Sequence, residues 1–277
     1  DVDHRFSPEW SAHATTDINW LRDASPTDLW LKRAYLQGAF SKALTLRVGV
    51  ADMPWTAYAN HWGGYRYVDN ELAGRLKYAN STDWGVHLLG ALGARGQWQY
   101  ATAVVSGSSF KRPRTGDSAD VEMRLGWQPT THTVLAVGGY RGKRALDGGE
   151  HVAVHTAQRW NAMAAYADSR FRLGAQYFRA SNWNQVRSPR ADAARGWSAW
   201  ASMQLAPQWS VLARHDDAHL SVQLDPLRRD RYNSLGLEYR CSRSLQLAIV
   251  AKRERLANHV GVVTGTNELG VWTQIAF

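Results

Sequence analysis

The chain has 277 residues, 33 Lys+Arg against 24 Asp+Glu for a formal charge of +9, and is 44% hydrophobic and 11% aromatic. It is too apolar for a disordered chain; its one cysteine, Cys241, excludes an internal disulfide, and no Cys/His spacing resembles a zinc or haem motif. Fourteen tryptophans combined with a mean hydropathy of −0.44 need an explanation.

No run of about 18 apolar residues occurs, which excludes a transmembrane helix. The basic start and short apolar core of a signal peptide are absent, which leaves a cytosolic protein or a processed form. Period two dominates the chain. Leu44, Leu46, Val48 and Val50 alternate with Thr45, Arg47 and Gly49, and Val121, Met123, Leu125 and Trp127 with Glu122, Arg124 and Gly126. The Ala-rich stretch 160–167 admits a helix, but its neighbours break the helical period within two turns. Further on, Leu235, Leu237 and Tyr239 alternate with Gly236, Glu238 and Arg240; Leu245, Leu247 and Ile249 with Gln246 and Ala248; and Leu269, Val271, Thr273, Ile275 and Phe277 with Gly270, Trp272, Gln274 and Ala276.

Counting such half-apolar segments predicts fourteen strands: 10–20, 28–40, 43–54, 83–92, 97–107, 119–129, 132–142, 157–168, 171–183, 195–206, 209–219, 231–241, 244–256 and 266–277. Short links alternate with longer polar ones at 55–82, 108–118, 143–156, 184–194, 220–230 and 257–265. That alternation predicts an all-β chain: one transmembrane up-and-down antiparallel barrel of about fourteen strands, with twelve or sixteen also compatible with an even count. A soluble sandwich accommodates any one of the strands. Their length favours the barrel, as do Trp84, Trp98, Trp127, Trp160, Trp183, Trp197, Trp209 and Tyr239 near strand ends. Trp and Tyr prefer the membrane–water boundary, and a barrel with polar lumen and loops reconciles the tryptophans with the hydropathy.

The ending Glu268 to Phe277 resembles the C-terminal strand signal of bacterial outer-membrane barrels, which implies recognition by the barrel-assembly machinery, with Phe277 as its terminal aromatic. Residues 30–90 carry Trp-Leu-Lys-Arg-Ala-Tyr-Leu-Gln-Gly (30–38), Arg-Val-Gly-Val-Ala-Asp-Met-Pro-Trp (47–55), Gly-Tyr-Arg-Tyr (64–67) and Ser-Thr-Asp-Trp-Gly-Val (81–86). Their order and spacing are similar to the phosphate-selective porin O and P family and its porin-like relatives. The resemblance implies an outer-membrane diffusion channel with an arginine-lined lumen, with a homotrimer as one assembly. This chain is shorter than those porins, so their phosphate specificity is not carried over.

Strand parity assigns Arg33, Arg47, Arg124, Arg159, Arg172, Arg214, Arg240 and Lys252 inward, against Glu122, Glu238, Glu254 and Glu268. A cationic wall concentrates anions; alternatively these arginines pair with neighbouring glutamates and stiffen the wall. Loop cations Lys111, Arg112, Arg114, Arg187, Arg190, Arg228, Arg229 and Arg231 fit solute attraction, lipopolysaccharide phosphates, a partner protein or plain solvation. The aromatics are not interleaved with the basic residues, which rejects nucleic acid.

Residues 55–82 are too many for a bare hairpin. Tyr58, His61, Trp62, Tyr65, Arg66 and Tyr67 are predicted to form a constriction, with an ordinary extracellular loop as the alternative. In a strand, His215 and His219 lie about 13 Å apart, which argues against a shared metal. The barrel lipases use a Ser-His pair on the outer wall, and no matching motif occurs here, so no enzyme and no cofactor are expected. The resulting reading is a passive channel for small anionic or polar solutes, with a scaffold or conduit for an envelope-complex partner as the alternative.

Overall fold

The computed structural model describes residues 1–20, 27–111, 113–242 and 244–275. Its strands are β1 (Val2–Arg5), β2 (Trp10–Trp20), β3 (Thr27–Ser41), β4 (Leu44–Asp52), β5 (Thr82–Leu92), β6 (Trp98–Val105), β7 (Asp120–Trp127) and β8 (Thr133–Gly142). They continue as β9 (Ala157–Ala167), β10 (Phe171–Ser181), β11 (Ala193–Ala206), β12 (Trp209–His219), β13 (Arg229–Arg240), β14 (Leu245–Ala257) and β15 (Val263–Ile275). All fifteen form one sheet in chain order, each antiparallel to the next. Two short helices, α1 (Thr56–Gly63) and α2 (Leu72–Arg75), lie between β4 and β5.

Each of the fourteen predicted segments is a strand. The addition is β1, whose Val-Asp-His-Arg has no apolar alternation to betray it. The Ala-rich stretch is β9, where buried Arg159, Asn161, Met163 and Ala165 alternate with outward Trp160, Ala162 and Ala164. Tertiary pairing overrides the helix preference of alanine there. β13 begins two residues earlier than predicted, so Arg229 and Arg231 belong to a strand rather than to a loop. Among the other predicted elements, Phe277 and Arg112 lie outside the described residues.

The two faces differ as period two requires. On β7, Asp120, Glu122, Arg124 and Gly126 are buried while Val121, Met123, Leu125 and Trp127 are exposed. An apolar face turned outward is stable only against lipid, which a membrane barrel supplies. Rings cap this band at the short-turn end, where Trp98 and Trp127 stack at 5.8 Å and Trp209 meets Tyr239 at 4.7 Å. Tryptophan also has a second use: Trp55, Trp62 and Trp183 are buried inside. Trp183, predicted at the boundary, instead donates its Nε1–H to the Lys77 carbonyl at 2.9 Å.

Candidate functional site

Residues 53–81 run along the inner face of the sheet. α1 ends at Gly64, whose φ of 84° suits a residue without Cβ and whose N–H bonds the Asn60 carbonyl at 2.9 Å. α2 is capped by Glu71, which accepts from the Ala73 and Gly74 amides at 2.8 and 2.7 Å.

The wall grips this segment through its carbonyls. Arg124 on β7 donates Nε–H to Pro54 O at 2.9 Å, its guanidinium 3.7 Å from the centre of the Tyr58 ring. Arg159 on β9 donates to Tyr78 O and to Glu122, both at 2.6 Å, and Glu122 also accepts the Trp55 amide at 2.8 Å. Arg172 on β10 reaches His61 O and Trp62 O at 2.9 Å. Arg214 on β12 donates to Asn70 O and to Asp216. Lys252 on β14 bonds Val68 O at 3.1 Å and pairs with Asp69 at 3.2 Å. The contacts on β7, β9, β10, β12 and β14 all converge on one segment, so the sheet curls round it.

Fit reinforces charge. A Cβ at Gly138 on β8 would stand 2.7 Å from the Trp55 ring, and one at Gly126 would stand 2.5 Å from the Tyr58 hydroxyl. Glycine is what lets both rings lie on the wall.

The predicted cations therefore have individual surroundings. Arg33 meets Asp52 at 2.9 Å. Arg47 bonds Gln37 at 2.8 Å and lies 4.8 Å from the Tyr35 ring centre. Arg240 is exposed at the short-turn end of β13. The expected neighbour pairs take a different form: Glu122 pairs with Arg159 rather than Arg124, and Glu238 accepts the Tyr67 hydroxyl at 2.7 Å. Within the segment, Trp62 is buried, Tyr58, Tyr65 and Tyr67 are half-buried, and His61 and Arg66 are exposed. Tyr65 and Tyr67 have ring centres 6.1 Å apart.

The centre that sequence reading missed is Arg75 on α2. Its guanidinium bonds Asp216 and Glu254 at 2.9 Å each and also Asp230, with the Tyr232 ring centre at 4.5 Å. Asp216 and Asp230 are inward carboxylates absent from the sequence tally. Parity on β12 would have found Asp216 beside Arg214; Asp230 required β13 to start at Arg229. His215 and His219 lie on the outer parity of β12, and His215 bonds Asn233 at 2.7 Å.

Burial raises the Glu71 carboxyl above the usual carboxylate range, against the opposing influence of Arg159 and the two amides it caps. A raised folded value means its contribution to seating α2 is complete below the ordinary Glu range, about 4.3, and is lost as pH rises through the raised value. Protease cleavage within 63–71 is expected to increase with pH over that window, and Glu71→Gln is expected to flatten the profile.

No family model matches the chain, and no curated protein matches it in sequence. Solved structures do match. The outer membrane channel DcaP of Acinetobacter baumannii superposes with a TM-score of 0.73 at 8% identity, over 99% of this chain and 83% of that one. The anion-selective porin from Comamonas acidovorans gives 0.63 at 10% identity, over 99% and 85%. The trimer form of OmpT, an outer membrane protein of Vibrio cholerae, gives 0.61 at 10% identity, over 99% and 88%. The fold is that of a bacterial outer-membrane porin, an up-and-down β-barrel.

Proposed function

We propose that this barrel is a channel for passive diffusion of small anionic or polar solutes. The passage runs between the inserted segment and the inner face of β2–β4. The observation that carries the reading is the unevenness of the inner wall. Inner positions of β7–β9 such as Glu122, Tyr140 and Arg159 are buried, whereas Arg33, Tyr35, Gln37, Thr45 and Arg47 are only half-buried and Arg66 is exposed. Arg47 is held by an amide rather than a carboxylate, so its charge remains available to a passing anion. Low-dielectric walls amplify such fields. The likeness of residues 30–90 to the phosphate-selective porin O and P family agrees with anion preference, without extending to phosphate specificity.

Reversal potentials across a salt gradient in planar bilayers test it. Anion preference is expected, and Arg47→Ala combined with Arg66→Ala is expected to lower the anion-to-cation permeability ratio several-fold. Cation preference in the unaltered protein would sink the anion reading; no conductance plus a stoichiometric co-purifying partner would favour a conduit. We also infer residence in the bacterial outer membrane and insertion there by the barrel-assembly machinery, on the alternation of Leu269, Val271, Thr273 and Ile275 along β15. A homotrimer is the proposed assembly, in line with the trimeric OmpT form.

A further inference from the structure

The outer face is apolar over most of its height, yet near the long-loop ends of β10–β14 it turns basic. Cross-strand register aligns Trp160, Arg179, Arg195, His219 and Arg229 in one row. The row below aligns Tyr177, Trp197, Asp217, Arg231 and Arg255. Arg253 sits opposite Asn233 one row lower. These positions are outward because their chain neighbours Phe178, Ala180, Ala194, Gly196 and Tyr232 are buried on the other face.

Two features of this belt need a cause. Arg179 is directly opposite Arg195, and Arg231 directly opposite Arg255. Like charges directly opposite on adjacent strands destabilise a sheet. One carboxylate serves the belt: Asp217 pairs with Arg229, and with Arg231 at 3.6 Å. Among the described residues no carboxylate pairs with Arg179, Arg195, Arg253 or Arg255, all four of which are exposed. A surplus of this kind on a lipid-facing wall is tolerated only near the interface, where the cost of an outward cation nearly vanishes. It is relieved there by an anion fixed at the same height.

The surface beneath the belt indicates what carries that anion. An outer-face hollow of about 530 Å³ extends from Trp98 and Trp127 at one end to Tyr177 and Trp197 at the other, with Ala162 and Ala164 between. Tyr177 and Trp197 belong to the row next to the Arg179–Arg195 pair. An apolar trough ending under paired guanidiniums suits an amphiphile with acyl chains below and phosphate above, and planar guanidiniums grip phosphate through two parallel bonds.

We propose that the outward arginines of β10–β14 form a binding site for lipopolysaccharide. Its lipid-anchor phosphates lie against Arg179 and Arg195, with Arg231, Arg253 and Arg255 extending the site, and one acyl chain occupies the hollow. The site is separate from the passage, so it stands or falls independently of the anion-channel reading.

Native mass spectrometry of the full barrel in neutral detergent, titrated with bisphosphorylated lipid A or with the same lipid dephosphorylated, tests the proposal. The unaltered barrel is expected to retain the phosphorylated lipid at least about tenfold more strongly, as several charge-assisted bonds imply. Arg179→Gln with Arg195→Gln is expected to remove most of that preference while leaving conductance and the unheated gel mobility of the folded barrel unchanged. Arg187→Gln with Arg190→Gln, in the adjoining loop, is expected to leave the preference intact. Equal retention of both lipids by the unaltered barrel overturns the proposal and needs no variant. So does an undiminished preference in a folded Arg179/Arg195 variant, or its loss in the loop variant alone.

Discussion

Replacing Arg159 by methionine is expected to be among the most destabilising single changes in the barrel, costing about 3–5 kcal/mol, the range for breaking a buried ion pair from one side. Both partners are buried, with side chains of Arg159 and Glu122 at 0% and 1% exposure. Two further losses accompany the charge: Tyr78 O gives up its bond from Arg159, and the Glu122 that receives the Trp55 amide becomes an unpaired anion. Arg124 is two residues from Glu122 on the same face but is bonded to Pro54 O, so it offers no ready replacement. Urea unfolding of the purified barrel measures the cost. The informative comparison is the double variant Arg159→Met with Glu122→Gln, which removes the orphaned charge and is expected to be more stable than Arg159→Met alone. If the double is worse than the single by the full cost of Glu122→Gln, the pair is not coupled.

That prediction depends on something the sequence conceals. Strand parity is a local property, fixed by the backbone, so Glu122, Arg124 and Arg159 are assigned inward from a few neighbours each. Their partners are not local. Arg124 bonds a carbonyl 70 residues away and Arg159 one 81 residues away, both in a segment with no alternation of its own. An arginine predicted to line an open lumen and one that clamps an inserted chain have the same sequence signature. The aspartates were hidden differently. Asp216 stands in the run His215 to His219, which draws attention to histidine, and Asp230 falls outside a strand that alternation alone begins at 231. Once β13 begins at Arg229, the same alternation turns Asp230 and Tyr232 inward and Arg229 and Arg231 outward. A charge run that read as loop thus divides between the two faces. Tryptophan divides the same way: Trp98 and Trp127 obey the boundary rule and Trp62 belongs to the segment where its sequence neighbours place it, whereas Trp183 has a boundary residue's position in sequence and is buried against the inserted segment.

Arg75→Met is expected to release one arm of the inserted segment while the other stays seated. Arg75 is the single cation on α2, and it bonds Asp216, Asp230 and Glu254 on three successive strands, β12, β13 and β14. Removing it leaves three carboxylates with Arg214, which bonds only Asp216 among them. Like charge on adjacent strands then repels, and α2 loses its charged link to the wall, keeping only the packing of Leu72 and Ala73 against Phe178 and Ala194 and the Arg214 bond to Asn70 O. The descending arm keeps Arg124, Arg172 and the Trp55–Glu122 bond, so residues 54–62 remain in place. The loosened part is 63–77, the part that borders the proposed passage. Open-channel current noise and protease cleavage within 63–71 are therefore expected to rise together, with cleavage increasing several-fold. Arg66→Ala, on the same segment but exposed, is expected to change ion preference while leaving both readouts at their original level. A quiet channel and an uncut segment in Arg75→Met would show that Lys252 with Asp69, and Tyr67 with Glu238, hold this arm by themselves. The carboxylate cluster would then be a property of the wall alone rather than the anchor of α2.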